Sequence, residues 1–217
     1  MCFCASASFA ASGGLAVVGG ATLYKSTKSN RLIAMVPMLF AVQQFIEGWQ
    51  WLAAHPSPAS LQLGYAFLFF AFLLWPFYIP LAVSQIEKYP LRKRTLEVLA
   101  GIGAVGALAL LFMMVTQPLI INILPRGIDY RIAVPFDWFG VLLYVAVTCG
   151  SLFISSHRMM RWFGTAAIVS AGLSFWIYRE TFTSVWCFFA DILSVSIYFF
   201  ISASARATAP AKPRPRR

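Results

Sequence analysis

The sequence predicts an all-α polytopic membrane protein with seven transmembrane helices, and three observations support this fold class. Hydrophobic residues make up 60% of the 217-residue chain, and only 11% of residues are charged. The apolar residues form long stretches, and a helix needs about 20 residues to cross a hydrocarbon core of roughly 30 Å. The basic residues concentrate between alternate stretches. The seven stretches are 5–24, 32–54, 61–86, 95–117, 135–155, 162–178 and 182–203.

The distribution of lysine and arginine predicts the orientation of these helices. The loops after the first, third and fifth stretches, together with the C-terminal tail, hold 14 of the 17 basic residues. Basic loops are retained in the cytoplasm. We therefore predict an inner-membrane (cytoplasmic-membrane) protein with its N-terminus outside and its C-terminus inside. The net charge of +10 then reflects topology, and we expect no nucleic-acid binding because no folded basic domain is predicted.

The predicted organisation is one seven-helix bundle over residues 1–203, followed by a disordered basic cytoplasmic tail over 204–217. The tail is rich in proline and arginine, so we expect it to contact anionic lipid head groups. The apolar segment 118–134 is expected either to lie on the bilayer surface or to cap the bundle. In the first span two runs of small residues recur every four residues, which predicts faces where helices pack closely inside the bundle. The runs are Ser6, Ala10 and Gly14, and Ser12, Ala16 and Gly20.

Polar residues inside the predicted spans indicate the candidate site, because such residues are costly in lipid and normally face the bundle interior. One polar stripe follows the second span and another follows the seventh, both in the outer half of the membrane. The two spans are therefore predicted to meet or to share a cavity that opens outward. A third acid, Asp137, is expected near the outer end of the fifth span. The alternative is purely structural, with each acid protonated and hydrogen-bonded to a neighbouring helix. The stripes are Gln43, Gln44, Glu47, Gln50 and Trp51, and Ser184, Cys187, Asp191, Ser194 and Tyr198.

Three cysteines, Cys2, Cys4 and Cys187, are predicted to lie near the outer face. They allow a disulfide between Cys187 and either N-terminal cysteine, or a metal or reactive-thiol site. If Met1 is removed, the amine and thiol of Cys2, with Cys187 and Glu47, can bind a soft divalent metal such as zinc or copper. Retinal and bis-histidine haem are not expected, because every lysine lies in a loop or the tail and only two histidines are present, both in loops.

Several segments resemble an uncharacterised family of small prokaryotic membrane proteins that begin Met-Cys-Phe-Ser. This chain has Cys4 where that family usually has serine. The resemblance implies the membrane fold and topology, names Cys2, Glu47 and Cys187 as candidate residues, and supplies no reaction. The segments are Met1-Cys2-Phe3-Cys4, Gln43-Gln44-Phe45-Ile46-Glu47-Gly48, Trp75-Pro76-Phe77-Tyr78-Ile79-Pro80, Tyr144 through Cys149-Gly150 to Ser156-His157-Arg158, and Ser184-Val185-Trp186-Cys187 through Asp191 to Ser194.

These observations favour a protein that holds a small ligand or metal in an outward-facing pocket, where it would bind, sense or catalyse thiol or metal chemistry. Whether it is an enzyme is left open. The alternative is a non-catalytic accessory or assembly subunit of a larger membrane complex, or a homo-oligomer. A transporter comes third, because the inner halves of the spans carry few charges. The predicted ligand-binding residues are Cys2, Gln43, Glu47, Trp51, Trp75, Trp186, Cys187 and Asp191, with Cys2, Glu47 and Cys187 as the metal ligands.

Overall fold

The computed structural model describes residues 4–132 and 138–208, and these residues form a helical bundle with one β-hairpin. Cys2, Asp137 and residues 209–217 of the predicted tail lie outside the described residues. A π-helical segment, Phe69–Leu74, joins α3 to α4. The elements are α1 (Ala5–Tyr24), α2 (Arg31–Leu52), α3 (Pro58–Leu68), α4 (Trp75–Ile86), α5 (Pro90–Thr116), β1 (Leu119–Leu124), β2 (Gly127–Ile132), α6 (Trp138–Thr148), α7 (Gly150–Ile154), α8 (Arg158–Ile177), α9 (Phe182–Ser194) and α10 (Ser196–Thr208).

Five helical segments of the described chain are long and apolar enough to cross a membrane, which confirms a largely helical membrane protein. They correspond to the first, second, third, fourth and seventh predicted spans. The fifth prediction corresponds to a shorter apolar helix, Gly140–Ile154. The sixth corresponds to α8, which has 20 residues but carries Arg158 and Arg161 in its first turn. The five segments are Ala5–Tyr24, Lys28–Leu52, Pro58–Ile86, Pro90–Thr116 and Arg179–Arg206.

The all-α prediction is wrong between α5 and α6, where the chain forms an antiparallel β-hairpin. The pairing runs from Leu119 opposite Ile132 to Leu124 opposite Gly127. Gly127 closes the turn with φ +149°, a conformation that side chains disfavour, and an added Cβ would lie 2.7 Å from Thr181. Leu119 of β1 is buried, and so are the first three residues of β2, Gly127, Ile128 and Asp129. The hairpin therefore caps one end of the bundle, as one of the two sequence interpretations predicted, and we call this the hairpin end.

Pro76 shapes the hydrogen bonding of the π-helical segment between α3 and α4. In the π-helical segment the Trp75 N–H donates to the carbonyl of Phe70, five residues earlier. The next carbonyl in that ladder, on Ala71, would need an N–H from Pro76, which has none. The hydroxyl of Tyr144 in α6 donates to the Ala71 oxygen instead, at 2.6 Å. A side chain of another helix thus satisfies the carbonyl that Pro76 leaves without a backbone donor.

The first two helices pack closely, and only part of the small-residue pattern that the sequence predicted lies at their contact. Gly19 lies against the backbone of Met38, where an added Cβ would be 2.8 Å from its nitrogen. Ser12 donates to the carbonyl of Ala41 at 2.8 Å. Gly14, on the predicted face, is exposed and has no neighbour within 4 Å of an added Cβ. Of the two predicted runs, Ser12 therefore meets α2, whereas Ser6, Ala10, Gly14, Ala16 and Gly20 are exposed, because a period-four pattern on both faces does not say which residues are buried.

The end of the bundle opposite the hairpin is held by the carboxylate of Glu87. It accepts backbone N–H groups from Lys88 at 3.0 Å, Tyr89 at 3.2 Å and Ser156 at 2.7 Å. Burial alone would raise the pKa of Glu87, but these hydrogen bonds outweigh it and the pKa lies below its ordinary value. The carboxylate thus ties the loop after α4 to the loop before α8. At the same end, the Nε2 atom of His157 lies 3.0 Å from the carbonyl oxygen of Ile86.

Candidate ligand-binding site

The polar stripes of the second and seventh predicted spans meet, as the sequence predicted. Ser184 of α9 donates its hydroxyl to Oε1 of Glu47 in α2. Gln44, one turn earlier in α2, donates its amide to Oε2 of Glu47 at 3.1 Å. Glu47 is 2% exposed, so both of its oxygens are buried and both accept a hydrogen bond from protein. We call Gln43, Gln44, Glu47, Ser184, Cys187 and Asp191 the polar cluster.

Asp191 is the least satisfied member of the polar cluster. Its side chain is completely buried, and neither carboxyl oxygen has a hydrogen-bond partner in the described part of the chain. The Gln44 amide is close enough to interact with the Asp191 carboxyl group, but it donates its hydrogen bond to Glu47, which also lies near Asp191. Ser194, predicted to share its stripe, donates to the backbone carbonyl of Asp191 rather than to the carboxyl group. A buried carboxyl group without a partner is unusual in a native protein and calls for an explanation.

Trp75 connects the polar cluster to α4. The indole N–H of Trp75 donates to Oε1 of Gln43 at 2.9 Å, and the Trp75 ring stacks on Phe40 with centroids 4.1 Å apart. The amide nitrogen of Gln43 is buried without a hydrogen-bond partner among the described residues. Cys187 is a buried free thiol near Gln43. Because its thiol is free, it is not bridged to Cys4, whose sulfur lies 3.1 Å from the hydroxyl of Ser6.

The β-hairpin contributes Tyr130, which the sequence analysis missed. Its ring stacks on Phe67 of α3 with centroids 4.7 Å apart and an interplanar angle of 10°. Burial, with the nearby Glu47 and Cys187, raises the pKa of the Tyr130 phenol well above its ordinary value. Its hydroxyl is buried and has no partner in the described ranges. The sequence predicted that segment 118–134 lies on the bilayer surface or caps the bundle, and it assigned no role to a side chain there. Only the short alternation of apolar and polar residues could have indicated an inward-facing tyrosine.

A small cavity of about 50 Å³ lies beside the polar cluster. Trp75, which donates to Gln43 of the polar cluster, also lines the cavity. Trp186 and Ala190, the residues that precede Cys187 and Asp191 on α9, line it too. Cys149 lines it as well, although the sequence did not connect this residue with the site. The cavity is lined by Phe40, Trp75, Ile79, Tyr144, Thr148, Cys149, Leu152, Phe163, Ala167, Trp186 and Ala190.

Other residues predicted for the site lie elsewhere or are not described. Trp51 is half-buried near the end of α2 and does not line the cavity. Tyr198 accepts a hydrogen bond from Lys25 at 2.7 Å and therefore belongs to the opposite end of the bundle. Cys2 and Asp137 lie outside the described residues. The structure thus brings together Gln43, Glu47, Trp75, Trp186, Cys187 and Asp191.

The predicted soft-metal site depends on Cys2. Within residues 4–132 and 138–208, no three histidine, cysteine or acidic side chains are arranged to hold a metal. Glu47 already accepts hydrogen bonds on both oxygens, whereas the unpartnered oxygens belong to Asp191. Among the described residues, no lysine, arginine or histidine pairs with either carboxyl group. The arrangement can therefore accept a proton or a positively charged, hydrogen-bonding group.

Comparisons with known proteins give a family but no activity. A search of curated proteins and a search of solved structures each returned no match. The model of a family of unknown function, DUF6629, matches residues 1–213, which is nearly the whole chain. The resemblance noted in the sequence is consistent with this result. The chain therefore belongs to the family of unknown function DUF6629.

Proposed function

We propose that this membrane protein binds a small polar ligand at the polar cluster between α2 and α9, beneath the β-hairpin. The observation that carries this proposal is Asp191, whose two carboxyl oxygens are fully buried without a partner in the described chain. Three further polar groups are also buried without a hydrogen-bond partner in the described chain: Oε1 of Gln44, Nε2 of Gln43 and the hydroxyl of Tyr130. Each such group costs about 1–3 kcal/mol, so a bound ligand that pairs with them would offset a large part of that cost.

The groups left unpaired indicate the chemistry of the ligand. Asp191 and Gln44 offer acceptor oxygens, which favours a ligand with several N–H or O–H donors. Glu47 and Asp191 are two carboxyl groups without a basic partner in the described chain, which favours a ligand with positive charge. The neighbouring cavity of about 50 Å³ limits the ligand to a few non-hydrogen atoms. A soft metal held by Cys2, Glu47 and Cys187 remains the competing proposal for the same place.

The proposed topology has seven crossings with the hairpin end outside. The chain reaches α8 beside Ile86 through His157 and leaves it beside the hairpin, where Thr181 donates to the Arg126 carbonyl at 3.4 Å. Twenty residues of helix span about 30 Å, so the length of α8 supports a crossing despite its polar first turn. The basic loops at the opposite end support a cytoplasmic location for that end. A ligand would then enter from outside, past the hairpin.

Native and denaturing mass spectrometry of the full chain, purified in mild detergent, tests the proposal. We expect the native mass to exceed the denatured mass by that of a small molecule, and Asp191→Ala to lose this excess. Glu97→Gln, which removes an exposed acid on α5, is the matched control and should retain it. A mass excess equal to a metal ion, lost in Cys2→Ser and retained in Asp191→Ala, would instead establish the metal proposal. The absence of any excess in wild type would contradict both.

An accessory-subunit role is the second candidate, and the exposure of α5 favours it. Only 17% of the most apolar 18-residue window of α5 is buried in the fold. Large side chains such as Val105 and Phe112 are 68% and 67% exposed, while Gly101 and Gly106 leave open space beside them. Such a face can accept either lipid or a partner helix. Val105→Trp should block complex formation without changing ligand mass if this role is correct, and the complex can be measured by co-purification from native membranes.

A further inference from the structure

One face of α8 combines unpaired positive charge with an exposed apolar track. Residues 158, 161, 162 and 165 follow the i, i+3, i+4, i+7 spacing of a single helix face. Arg158, Arg161, Trp162 and Thr165 line an open cleft at that face. All four are exposed, and neither arginine forms an ion pair within the described residues. This cleft is separate from the polar cluster and lies at the opposite end of the bundle.

The same face continues into the predicted membrane interior as an apolar surface. Val169 is 55% exposed and Trp176 is 83% exposed. Between them Gly172 has no atom within 4 Å of an added Cβ, which leaves a shallow gap on the helix surface. The opposite face of α8, with Met160 and Ala167, is buried against the bundle. Because only one face packs on protein, the charged cleft and the apolar gap both face outward from the bundle.

We propose that this face of α8 binds one anionic phospholipid, with its phosphate on Arg158 and Arg161 and an acyl chain along Val169 and Gly172. Guanidinium groups pair with phosphate through two parallel hydrogen bonds, and Trp162 has the amphipathic ring that favours the head-group level. Gly172 lies eleven residues beyond Arg161, about 16 Å along the helix. This is close to half of a hydrocarbon core of roughly 30 Å, which is the reach of one acyl chain.

Two unpaired arginines also select the head group. A zwitterionic lipid carries its own cation beside the phosphate, which opposes the guanidinium groups. An anionic head group has no such cation. Each basic residue that contacts the head group strengthens the binding of an anionic lipid by about fivefold, so the pair accounts for about 30-fold. The proposal therefore commits to phosphatidylglycerol-like lipids over phosphatidylcholine.

Native mass spectrometry of the full chain, titrated in detergent with phosphatidylglycerol or phosphatidylcholine, tests this proposal. We expect Arg158→Gln with Arg161→Gln to raise the dissociation constant for phosphatidylglycerol by about 30-fold. The control, Lys93→Gln with Arg94→Gln, removes the same charge from exposed positions on the same side and should change it less than threefold, a difference of about 0.7 kcal/mol. Equal loss in both variants, or equal affinity of wild type for the two lipids, would overturn the proposal.

The acyl-chain half of the proposal has its own variant. Gly172→Leu fills the gap without touching the arginines, and the open space at Gly172 means that the helix should tolerate the change. We expect it to weaken phosphatidylglycerol binding while leaving far-UV circular dichroism unchanged. Inorganic phosphate provides the second arm. If phosphate alone displaces the lipid as completely as added phosphatidylglycerol does, the cleft recognises free phosphate and the lipid assignment is wrong.

Discussion

Replacing Asp191 by alanine should stabilise the protein, and this prediction separates a binding role from a structural one. In the described chain the Asp191 carboxyl group is buried and makes no hydrogen bond, so its desolvation costs about 1–3 kcal/mol that the ligand-free fold does not recover. Alanine also improves helix propensity by about half a kcal/mol. The small cavity left by the substitution should cost about 1 kcal/mol. The net expectation is a gain of about 0.5–2.5 kcal/mol in the free energy of unfolding.

Ser184→Ala is the matched comparison, because it lies on the same face of α9 and should have the opposite effect. It removes the hydroxyl that donates to Glu47 and leaves a buried carboxyl oxygen unpaired, which should cost about 1–3 kcal/mol. Both variants can be measured by thermal unfolding in detergent, followed by circular dichroism, with the ligand removed by extensive washing. If Asp191→Ala is destabilised as much as Ser184→Ala, Asp191 stabilises the packing of the helices, and the argument that it binds a ligand is refuted.

Three further predictions concern the rest of the fold. Glu87→Gln should lower the free energy of unfolding at pH 7 by about 1.5–3 kcal/mol, whereas the control Glu97→Gln should leave it unchanged. Because folding lowers the pKa of Glu87, the extra stability of the wild type should be complete well above the ordinary pKa of 4.5 and should disappear as the pH falls through the folded pKa. Denaturation at several pH values measures this dependence. Gly127→Ala should destabilise the hairpin by about 1–3 kcal/mol and expose the polar cluster to hydrogen exchange, whereas no exposure would mean that the hairpin is not its cover. Tyr144→Phe should leave the buried carbonyl of Ala71 unpaired, which should lower the free energy of unfolding by about 1–3 kcal/mol and with it the thermal midpoint. An unchanged midpoint would mean that Tyr144 does not stabilise the π-helical segment.

The sequence predicted the helices well where length and hydropathy alone decide the outcome. The first predicted span, 5–24, coincides with α1. The meeting of Glu47 with the stripe on α9 was also predictable, because helical periodicity and depth place polar groups at the same level. The candidate residues Gln43, Cys187 and Asp191 follow from the same argument. These predictions need only the spacing of residues within a few turns of one helix.

Features that depend on tertiary contacts could not be predicted in the same way. Tyr130 reaches the polar cluster only because the hairpin folds back over the bundle, and its two short strands resemble an apolar surface segment. Cys149 lines the cavity through the packing of α6 and α7 against α4. The exposure of Gly14 depends on which face of α1 meets α2, and small residues are present on both. Single-helix periodicity contains none of this information.

A structure of the protein purified from its native membrane, at a resolution that shows ordered water, tests the central claim most directly. The account predicts non-protein density within hydrogen-bond distance of the Asp191 carboxyl group, with Gln44 or Tyr130 contacting the same molecule. An Asp191 carboxyl group bonded to a protein side chain, with no density beside it other than water, would contradict the account and leave the polar cluster as a structural contact between α2 and α9.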